Sequence, residues 1–315
     1  MKILITGGTG SLGNAFTEYA LRELPIKALR ILSRDERKQA EMAARIGDDR
    51  LRLLLGDVRD RARLRRAFQG VDIVIHAAAL KRVDAVAYDP IETIQTNVLG
   101  SVNVVEAAVD AGVSLVLGIS TDKGCLPANL YGATKATMER LFTYAGAYAG
   151  GGPTKFACTR YGNVIGSRGS VLEVWREQFA RQGFVTVTDT EMTRFWLTLD
   201  EACVIVRQAV EGMRGGEVFV PSLRRAPVLD LLEAYFGHVP AYVVSGLRHG
   251  GEKLHEDLLS THEASGPWPG APGGYIVSAA GCASGLPDLT LRSCDPPFET
   301  VDVLRRLLVQ AGCVK

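Results

Sequence analysis

The chain has 315 residues, 47% of them hydrophobic and 23% charged, with a net charge of +1. That length fits one large domain or two closely packed ones. The near-neutral balance excludes a broad basic footprint for nucleic acid or an anionic membrane, and leaves only local basic clusters for binding phosphate. The N-terminal "MKILITGG" passes from a short apolar run straight into glycines, unlike a signal peptide. No run approaches the roughly 20 apolar residues of a membrane span, so a cytoplasmic protein is expected. Six cysteines (Cys125, Cys158, Cys203, Cys282, Cys294, Cys313) lack Cys-x-x-Cys spacing, and the five histidines do not cluster. Neither a metal site nor a disulfide framework is expected.

In chain order, "KILIT" (2–6) reads as a buried strand, followed by a helix over residues 10–23. "ALRILSR", "LRLLLGDV" and "VDIVIHAAA" read as the second, third and fourth strands. "TNVLGSVNVVEAAVDAG" has apolar residues at helical spacing and closes on Gly112. "SLVLGIST" is a fifth strand, "YGATKATMERLFTYAGAY" a long helix, and "KFACTRYGNVIG" a sixth strand running into a loop. A helix over 198–213 and a strand in "GEVFVPS" come next. Beyond Pro227 the pattern predicts a helix over 228–235, a strand over 241–245, a helix over 252–259, a Gly/Pro loop over 265–274 and a last helix over 300–310. Strands alternating with helices predict an α/β fold with a doubly wound parallel (Rossmann) sheet, whose ligands sit beyond the carboxyl ends of the strands. The expected division is a dinucleotide-binding domain over 1–165 plus about 196–226, and a smaller substrate-binding lobe over about 166–195 plus 227–315.

"ITGGTGSLG" follows the first strand and opens a helix. Gly7 allows a tight turn, Gly10 lets backbone approach a pyrophosphate, and Gly13 lets helix and sheet pack closely; Gly8 is additional. Thr9, Ser11 and Leu12 complete the turn, and the helix N-terminus favours an anion. At the tip of the second strand stand Ser33 and Arg34, with Arg37 and Lys38 following. A guanidinium suits a 2′-phosphate, so NADP is expected over NAD. Asp35 follows directly and keeps NAD as the alternative; a solvated charged turn is the bland one. Asp57 and Val58 are expected beside the adenine, with Ala77, Ala78 and Ala79 under the cofactor.

Tyr131 and Lys135 lie one turn apart on the long helix. A neighbouring ammonium lowers a phenol's pKa, so that Tyr131 can take a proton from an alcohol whose carbon gives hydride to nicotinamide. With the glycines and the alternation, this pair resembles the extended short-chain dehydrogenase/reductase superfamily. Over about residues 2–257 the chain more closely resembles inverting UDP-N-acetylglucosamine 4,6-dehydratases. The matching stretches are "LSRDERKQAEMA", "AALKRV", "TNVLGSVNVVEAA", "STDKGCLPANLYGATK", "RYGNVIGSRGSV", "MTRFWLTLDEA", "GGEVFVP" and "GEKLHE". Epimerases of the superfamily usually carry small hydroxyl residues where this chain has Asp122–Lys123, and retaining dehydratases carry Asp–Glu.

The resemblance implies that Lys123, as neutral amine, removes the C5 proton of a 4-ketohexose, while protonated Asp122 donates to the departing C6 hydroxyl. Hydride returns to C6, and C5 is reprotonated on the opposite face. A lowered Lys123 and a raised Asp122 are expected in a dry pocket, with Thr121 helping to hold the sugar. For the nucleotide end the resemblance implies Tyr161, Asn163, Arg168, Arg248 and Glu252, with Lys253 a further candidate. Arg168 or Arg248 would grip the diphosphate and Glu252 the ribose. Lys81 would reach the sugar, and Arg194 would do the same or form an internal salt bridge. Departures from the family are Asp84 and His249 for usual prolines, Glu173 for another, Ala87 for an acidic residue and Gly124 for Ala. Most fall where substrate should sit, which leaves another base, or a hexose without the 2-acetamido group, as alternatives. The resulting expectation is an NADP-dependent, C5-inverting nucleotide-sugar 4,6-dehydratase, a homo-oligomer. A 4- or 5-epimerase on the same fold and a non-catalytic NADP-sensing regulator are the rivals.

Overall fold

The computed structural model describes residues 1–248, 250–278 and 289–314, and for residues 83–85 the backbone alone. His249, Cys282 and the side chain of Asp84 therefore lie outside the described residues. The chain runs β1 (Lys2–Thr6), α1 (Ser11–Glu23), β2 (Ala28–Ser33), α2 (Glu36–Ile46), β3 (Leu51–Leu55), α3 (Arg61–Phe68) and β4 (Ile73–His76). Short helices α4 (Val83–Tyr88) and α5 (Pro90–Ile94) lead through a π-helical turn (Gln95–Leu99) into α6 (Gly100–Ala111). Then come β5 (Leu115–Thr121), a 3-10 turn (Asp122–Gly124), α7 (Leu130–Tyr148), β6 (Lys155–Tyr161), β7 (Asn163–Val164), α8 (Val171–Gln182), β8 (Val185–Val187), β9 (Thr193–Leu197) and α9 (Leu199–Gly212). The remainder is β10 (Glu217–Val220), β11 (Arg224–Pro227), α10 (Val228–Phe236), β12 (Tyr242–Val244), β13 (Asp257–Leu259), β14 (Ser265–Pro267), β15 (Tyr275–Ser278), β16 (Leu291–Arg292) and α11 (Val301–Gln310).

Nine strands form the main sheet in the order β14-β15-β10-β6-β5-β4-β1-β2-β3. Its strands from β10 to β3 pair in parallel, and β15 and β14 add antiparallel at one edge. The order reverses between β1 and β4, where Thr6 pairs with His76, and a crevice opens beyond such a switch point. Successive side chains of a strand face opposite sides. Accordingly Ile3 and Ile5 pack with Phe16 and Ala20 of α1, Met42 of α2 and Ile205 of α9. Leu4 packs instead with Phe68 of α3, Val104 of α6 and Phe142 of α7. Each such fully buried side chain contributes about 1.5–3 kcal/mol. A third core joins Leu172 and Trp175 of α8, Leu231 of α10 and Leu308 of α11 around Val187 and Trp196. No helix among the described residues is long and apolar enough to cross a membrane.

Two expected elements differ. The helix expected over 252–259 is an extended strip leading into β13. Its i,i+4 charges, Lys253 and Asp257, do pair at 3.0 Å. However, Gly250 and Gly251 hold positive φ, and the Arg194 guanidinium takes the Lys253 and Leu254 carbonyls at 3.0 and 2.9 Å, satisfying acceptors that a helix would have used. The expected 265–274 loop begins as β14, which pairs with β15 to form a hairpin on the main sheet. An edge strand tolerates Pro267, and Trp268 anchors the hairpin against Phe219 with ring centroids 4.8 Å apart. Residues assigned from sequence to the smaller lobe thus extend the large sheet.

Candidate active site

The glycine-rich turn is built almost entirely from backbone. Gly7, at φ +66°, donates to Leu32 O at 2.8 Å, and Gly10 donates to Gly7 O at 2.9 Å. A Cβ at Gly7 would lie 2.7 Å from Ala78 Cα, and one at Gly13 would lie 2.3 Å from Gly8 O, so both sites exclude a side chain. Gly10, the N-cap of α1, supplies no side-chain cap, and such an uncapped helix start leaves first-turn amides for an anion. The Thr6 hydroxyl bonds His76 Nδ1 at 2.8 Å, and His76 Nε2 meets Ser101 Oγ at 3.1 Å. That chain ties the ends of β1 and β4 together just before Ala77, Ala78 and Ala79. These residues fit a dinucleotide.

At the tip of β2, Ser33 is buried, its carbonyl and hydroxyl both taken by Gln39 Nε2 at 3.1 Å. Asp35 does not point a free carboxylate at the crevice. It caps α2 through Lys38 N at 3.0 Å and pairs with Lys38 Nζ at 2.7 Å. Arg34 is half-exposed and meets Asp57 at 3.3 Å. Burial raises the Asp57 carboxyl, but Arg59 and Arg34 outweigh it and hold the group below its usual range. Val58 packs under Gly100.

Thr121 and Tyr161 end β5 and β6 in register. Thr121 caps the 3-10 turn and donates from Oγ1 to Asp122 Oδ1 at 2.8 Å. Lys123 Nζ turns inward, donating to the same Asp122 oxygen at 3.0 Å and to Asn163 Oδ1 at 3.2 Å. This turn lies hard against α7 because Gly132 has no side chain: a Cβ there would sit 2.2 Å from Lys123 O. Asn129 caps α7 and also reaches Gly251 O at 2.9 Å. Lys123 and Asp122 both bear on the Tyr131 phenol, as does the Thr121 hydroxyl. Acid and amine are thus one hydrogen-bonded pair, packed against the first turn of the helix that carries the phenol.

Two ionisations depart from expectation. Burial raises the Tyr131 phenol to about 12, more than Lys123 lowers it. Lys135, meant to depress it, donates to Ile119 O at 2.7 Å, and burial lowers its ammonium to about 8. Lys123 is raised, not lowered: burial acts against the ammonium, but Asp122 and then Glu256 outweigh it.

The outer residues divide. Arg168 donates from its backbone N to Ser11 Oγ at 3.0 Å and from its guanidinium to Thr9 O, so its partners belong to the glycine-rich turn. Lys81 is lowered, by burial first and by Arg168 second. Glu173 accepts from Gly169 N at 2.6 Å. Arg194 is buried and internal, bonded to Thr193, Lys253 and Leu254 carbonyls and to Glu252 at 3.4 Å. Arg248 stays exposed and approaches Glu252 at 3.5 Å. Lys253 is committed to Cys125 O at 2.8 Å and Asp257. Ala87 faces the 250 loop, where a Cβ on Gly250 would lie 3.7 Å from its own. At Gly124 a Cβ would meet Ser120 Oγ at 3.3 Å.

Two contributors escaped the sequence reading. Asn97, in the π-helical turn, brackets Leu80 with both amide atoms at 2.8 and 2.9 Å and reaches Thr134 of α7 at 3.1 Å. It joins the segment after β4 to α7. Glu256 stands 3.5 Å from Lys123. Its only signal was its place in "GEKLHE".

The switch-point crevice, the uncapped glycine-rich helix start and the Tyr131/Lys135 helix define an extended short-chain dehydrogenase/reductase. Within that class the chain belongs to the polysaccharide biosynthesis protein family, whose model matches residues 3–268. It is 43% identical over 264 residues to a UDP-N-acetylglucosamine 4,6-dehydratase (inverting) of Campylobacter jejuni, covering 84% of this chain and 78% of that one. It is 40% identical over 267 residues to a UDP-glucose 4-epimerase of Rickettsia felis, covering 83% and 78%. Among solved structures, Pen from Bacillus thuringiensis superposes with a TM-score of 0.92 at 32% identity over 100% of this chain and 98% of that one. The dTDP-glucose 4,6-dehydratase DesIV from Streptomyces venezuelae, with NAD and TYD bound, gives 0.71 at 25% over 80% and 86%.

Proposed function

We propose that the protein is a C5-inverting nucleotide-sugar 4,6-dehydratase acting on UDP-N-acetylglucosamine, with NADP as its recycled cofactor. The observation that carries this is the Lys123–Asp122 pair, hydrogen-bonded at 3.0 Å at the end of β5 and bearing on Tyr131. An epimerase needs only to oxidise C4 and reverse; elimination also needs a base for C5–H and an acid for C6–OH.

When bound, the nicotinamide would supply the two-electron hydride chemistry, oxidation at C4 and reduction at C6. Gly7 to Gly13 would hold the pyrophosphate, and Lys135 the ribose side of Tyr131. Tyr131 takes the C4 hydroxyl proton. Lys123, once neutral, takes the C5 proton, and Asp122 supplies the proton with which C6–OH leaves as water. NADP is supported by the half-exposed Arg34 and by an Asp35 already spent on capping α2 and pairing with Lys38. Arg168 and Lys81 would serve phosphate near the glycine-rich turn, Arg248 and Glu252 the nucleoside end. A homo-oligomer belongs to the same reading and is supported by exposed apolar side chains at Tyr88, Ile91 and Leu99; sedimentation equilibrium tests it.

The test is incubation with UDP-, GDP-, CDP- and dTDP-hexoses in deuterated water, read by mass spectrometry for water loss and by NMR for deuterium and configuration at C5. UDP-N-acetylglucosamine is expected to give a 4-keto-6-deoxy product with inverted, deuterated C5. The second reading, a 4-epimerase, is favoured by the Rickettsia relative and predicts a C4 epimer with no loss of water. Lys123→Ala is expected to keep C4 oxidation and lose elimination by about 10²–10⁴-fold, and Tyr131→Phe to lose both. Full-rate dehydration by Lys123→Ala would remove Lys123 from the mechanism.

A further inference from the structure

The Lys123 ammonium faces three oxygens: Asp122 Oδ1 at 3.0 Å, Asn163 Oδ1 at 3.2 Å and Glu256 Oε1 at 3.5 Å. Glu256 arrives on the strip before β13 and is only 2% exposed. Its backbone N is held by Ser293 Oγ at 2.9 Å, which anchors the strip at this residue. Its second oxygen and Asp122 Oδ2 are both buried without a hydrogen-bond partner among the described residues. The other nearby cations are engaged elsewhere. Lys253 lies 3.6 Å from Glu256 Oε2 but is bonded to Asp257 and Cys125 O, and Arg194 is bonded to Glu252 and three carbonyls. Asp122 and Glu256 therefore share the Lys123 ammonium, and Glu256 shares its second cation, Lys253, with Asp257. Fully ionised, the buried trio would carry one negative charge balanced only by Lys253 at the longer distance of 3.6 Å, an unfavourable state that taking up a proton relieves.

We propose that Glu256 is a positioning residue that sets the ionisation of the Asp122–Lys123 pair: protonated, it lets Lys123 pass a proton to Asp122; ionised, it pins Lys123 as the ammonium. The proton count is the same before and after the transfer. An N–H bond of Lys123 breaks and an O–H bond forms on Asp122, across the hydrogen bond already present. The result is an amine for C5–H and an acid for C6–OH, generated together and with no net buried charge. Were Glu256 ionised, the same transfer would strand its carboxylate beside a neutral amine. The groups facing Glu256 are Lys123 and Asp122 from the turn after β5, Arg194 from β9 and Lys253 from its own strip. Burial raises Glu256, and Lys123, Arg194 and Lys253 do not bring it back to the usual range.

The catalytic part of this inference rests on the dehydratase reading; the proton coupling does not, and one experiment separates them. Lysine labelled with ¹³C at Cε is followed by NMR against pH in the full chain without substrate, in wild type and Glu256→Gln, with Lys123 assigned by its loss in Lys123→Arg. In parallel, kcat for water loss from UDP-N-acetylglucosamine is profiled against pH with NADP. Lys123 is expected to titrate at least about one pH unit lower in Glu256→Gln, tenfold in proton affinity. The wild-type kcat is expected to fall as pH rises through the Glu256 ionisation, and Glu256→Gln to lose that limb, while Glu256→Asp keeps it at a displaced pH. Identical Lys123 titration in wild type and Glu256→Gln overturns the coupling. A Glu256→Gln profile of wild-type shape, merely scaled down, shows a structural role and also overturns the proposal. Should Glu256→Gln not fold, Glu256→Asp decides it, since a limb that does not move with the shortened carboxyl belongs to another group. A wild type that titrates as expected but releases no water overturns the dehydratase reading alone.

Discussion

The glycine-rich turn and the Lys123 cluster are built by opposite means. The turn uses backbone: Gly7 and Gly10 make main-chain hydrogen bonds at 2.8 and 2.9 Å, no side chain caps α1, and the space depends on missing Cβ atoms. The cluster uses buried charge: Asp122 and Lys123 from after β5, Tyr131 from α7, Asn163 from β7 and Glu256 from before β13. A backbone site is specified by a few adjacent residues and holds its shape without a partner. A charge site needs distant segments brought together, and its protonation depends on all of them at once.

Four substitutions would break or sharpen this contrast. The largest effect is expected at α7, where Arg160 is clamped between Glu139 of that helix at 2.6 Å and Glu263 at 2.7 Å. Glu263→Ala leaves Arg160 paired with Glu139 but takes away two charged hydrogen bonds, from Arg160 Nη1 and Nη2, so the urea midpoint should fall by the equivalent of about 3 kcal/mol. Burial raises Glu263, but Arg160 outweighs it and leaves the group below its usual value. Its contribution is therefore complete above the unfolded carboxyl's pKa of about 4.3 and disappears as pH falls through the lower folded value. Urea midpoints across that acid range should converge for wild type and variant.

On the backbone side, Gly13→Ala forces a Cβ to within 2.3 Å of Gly8 O. Overpacking of this kind costs about 1–3 kcal/mol, and loss of dinucleotide binding should exceed loss of stability when both are measured by titration and denaturation. Next, Arg34→Ala should weaken NADP about tenfold, roughly 1.4 kcal/mol, and leave NAD unchanged. Equal weakening of both would move the 2′-phosphate contact elsewhere. The smallest effect is expected for Thr198→Ala, which removes the capping box of α9 at about 1 kcal/mol, with kcat unaltered at a temperature where the protein is folded.

Much of the site was legible because its signals are local. The glycines, Tyr131 with Lys135, and Asp122 with Lys123 each sit within one turn or one loop, and the structure brings all of them to the carboxyl end of the sheet. Other readings failed where a distant partner intervened. The 252–259 segment has helical charge spacing, yet Arg194 takes its carbonyls and two glycines extend it. The 265–274 stretch has loop composition, yet the free edge of β15 recruits its start as a strand. Tyr131 and Lys123 were expected to titrate low, but burial dominates the phenol and two carboxyls dominate the amine.

Periodicity and glycine spacing alone were enough for the doubly wound sheet and the glycine-rich turn at the start of α1, because both arise from interactions between near neighbours in the chain. The commitment of Arg194 to the scaffold, the tie of Asn97 to α7 and the presence of Glu256 beside Lys123 emerged only on folding. Electrostatic energies depend on distance through space and on burial, and neither is written in the order of the residues.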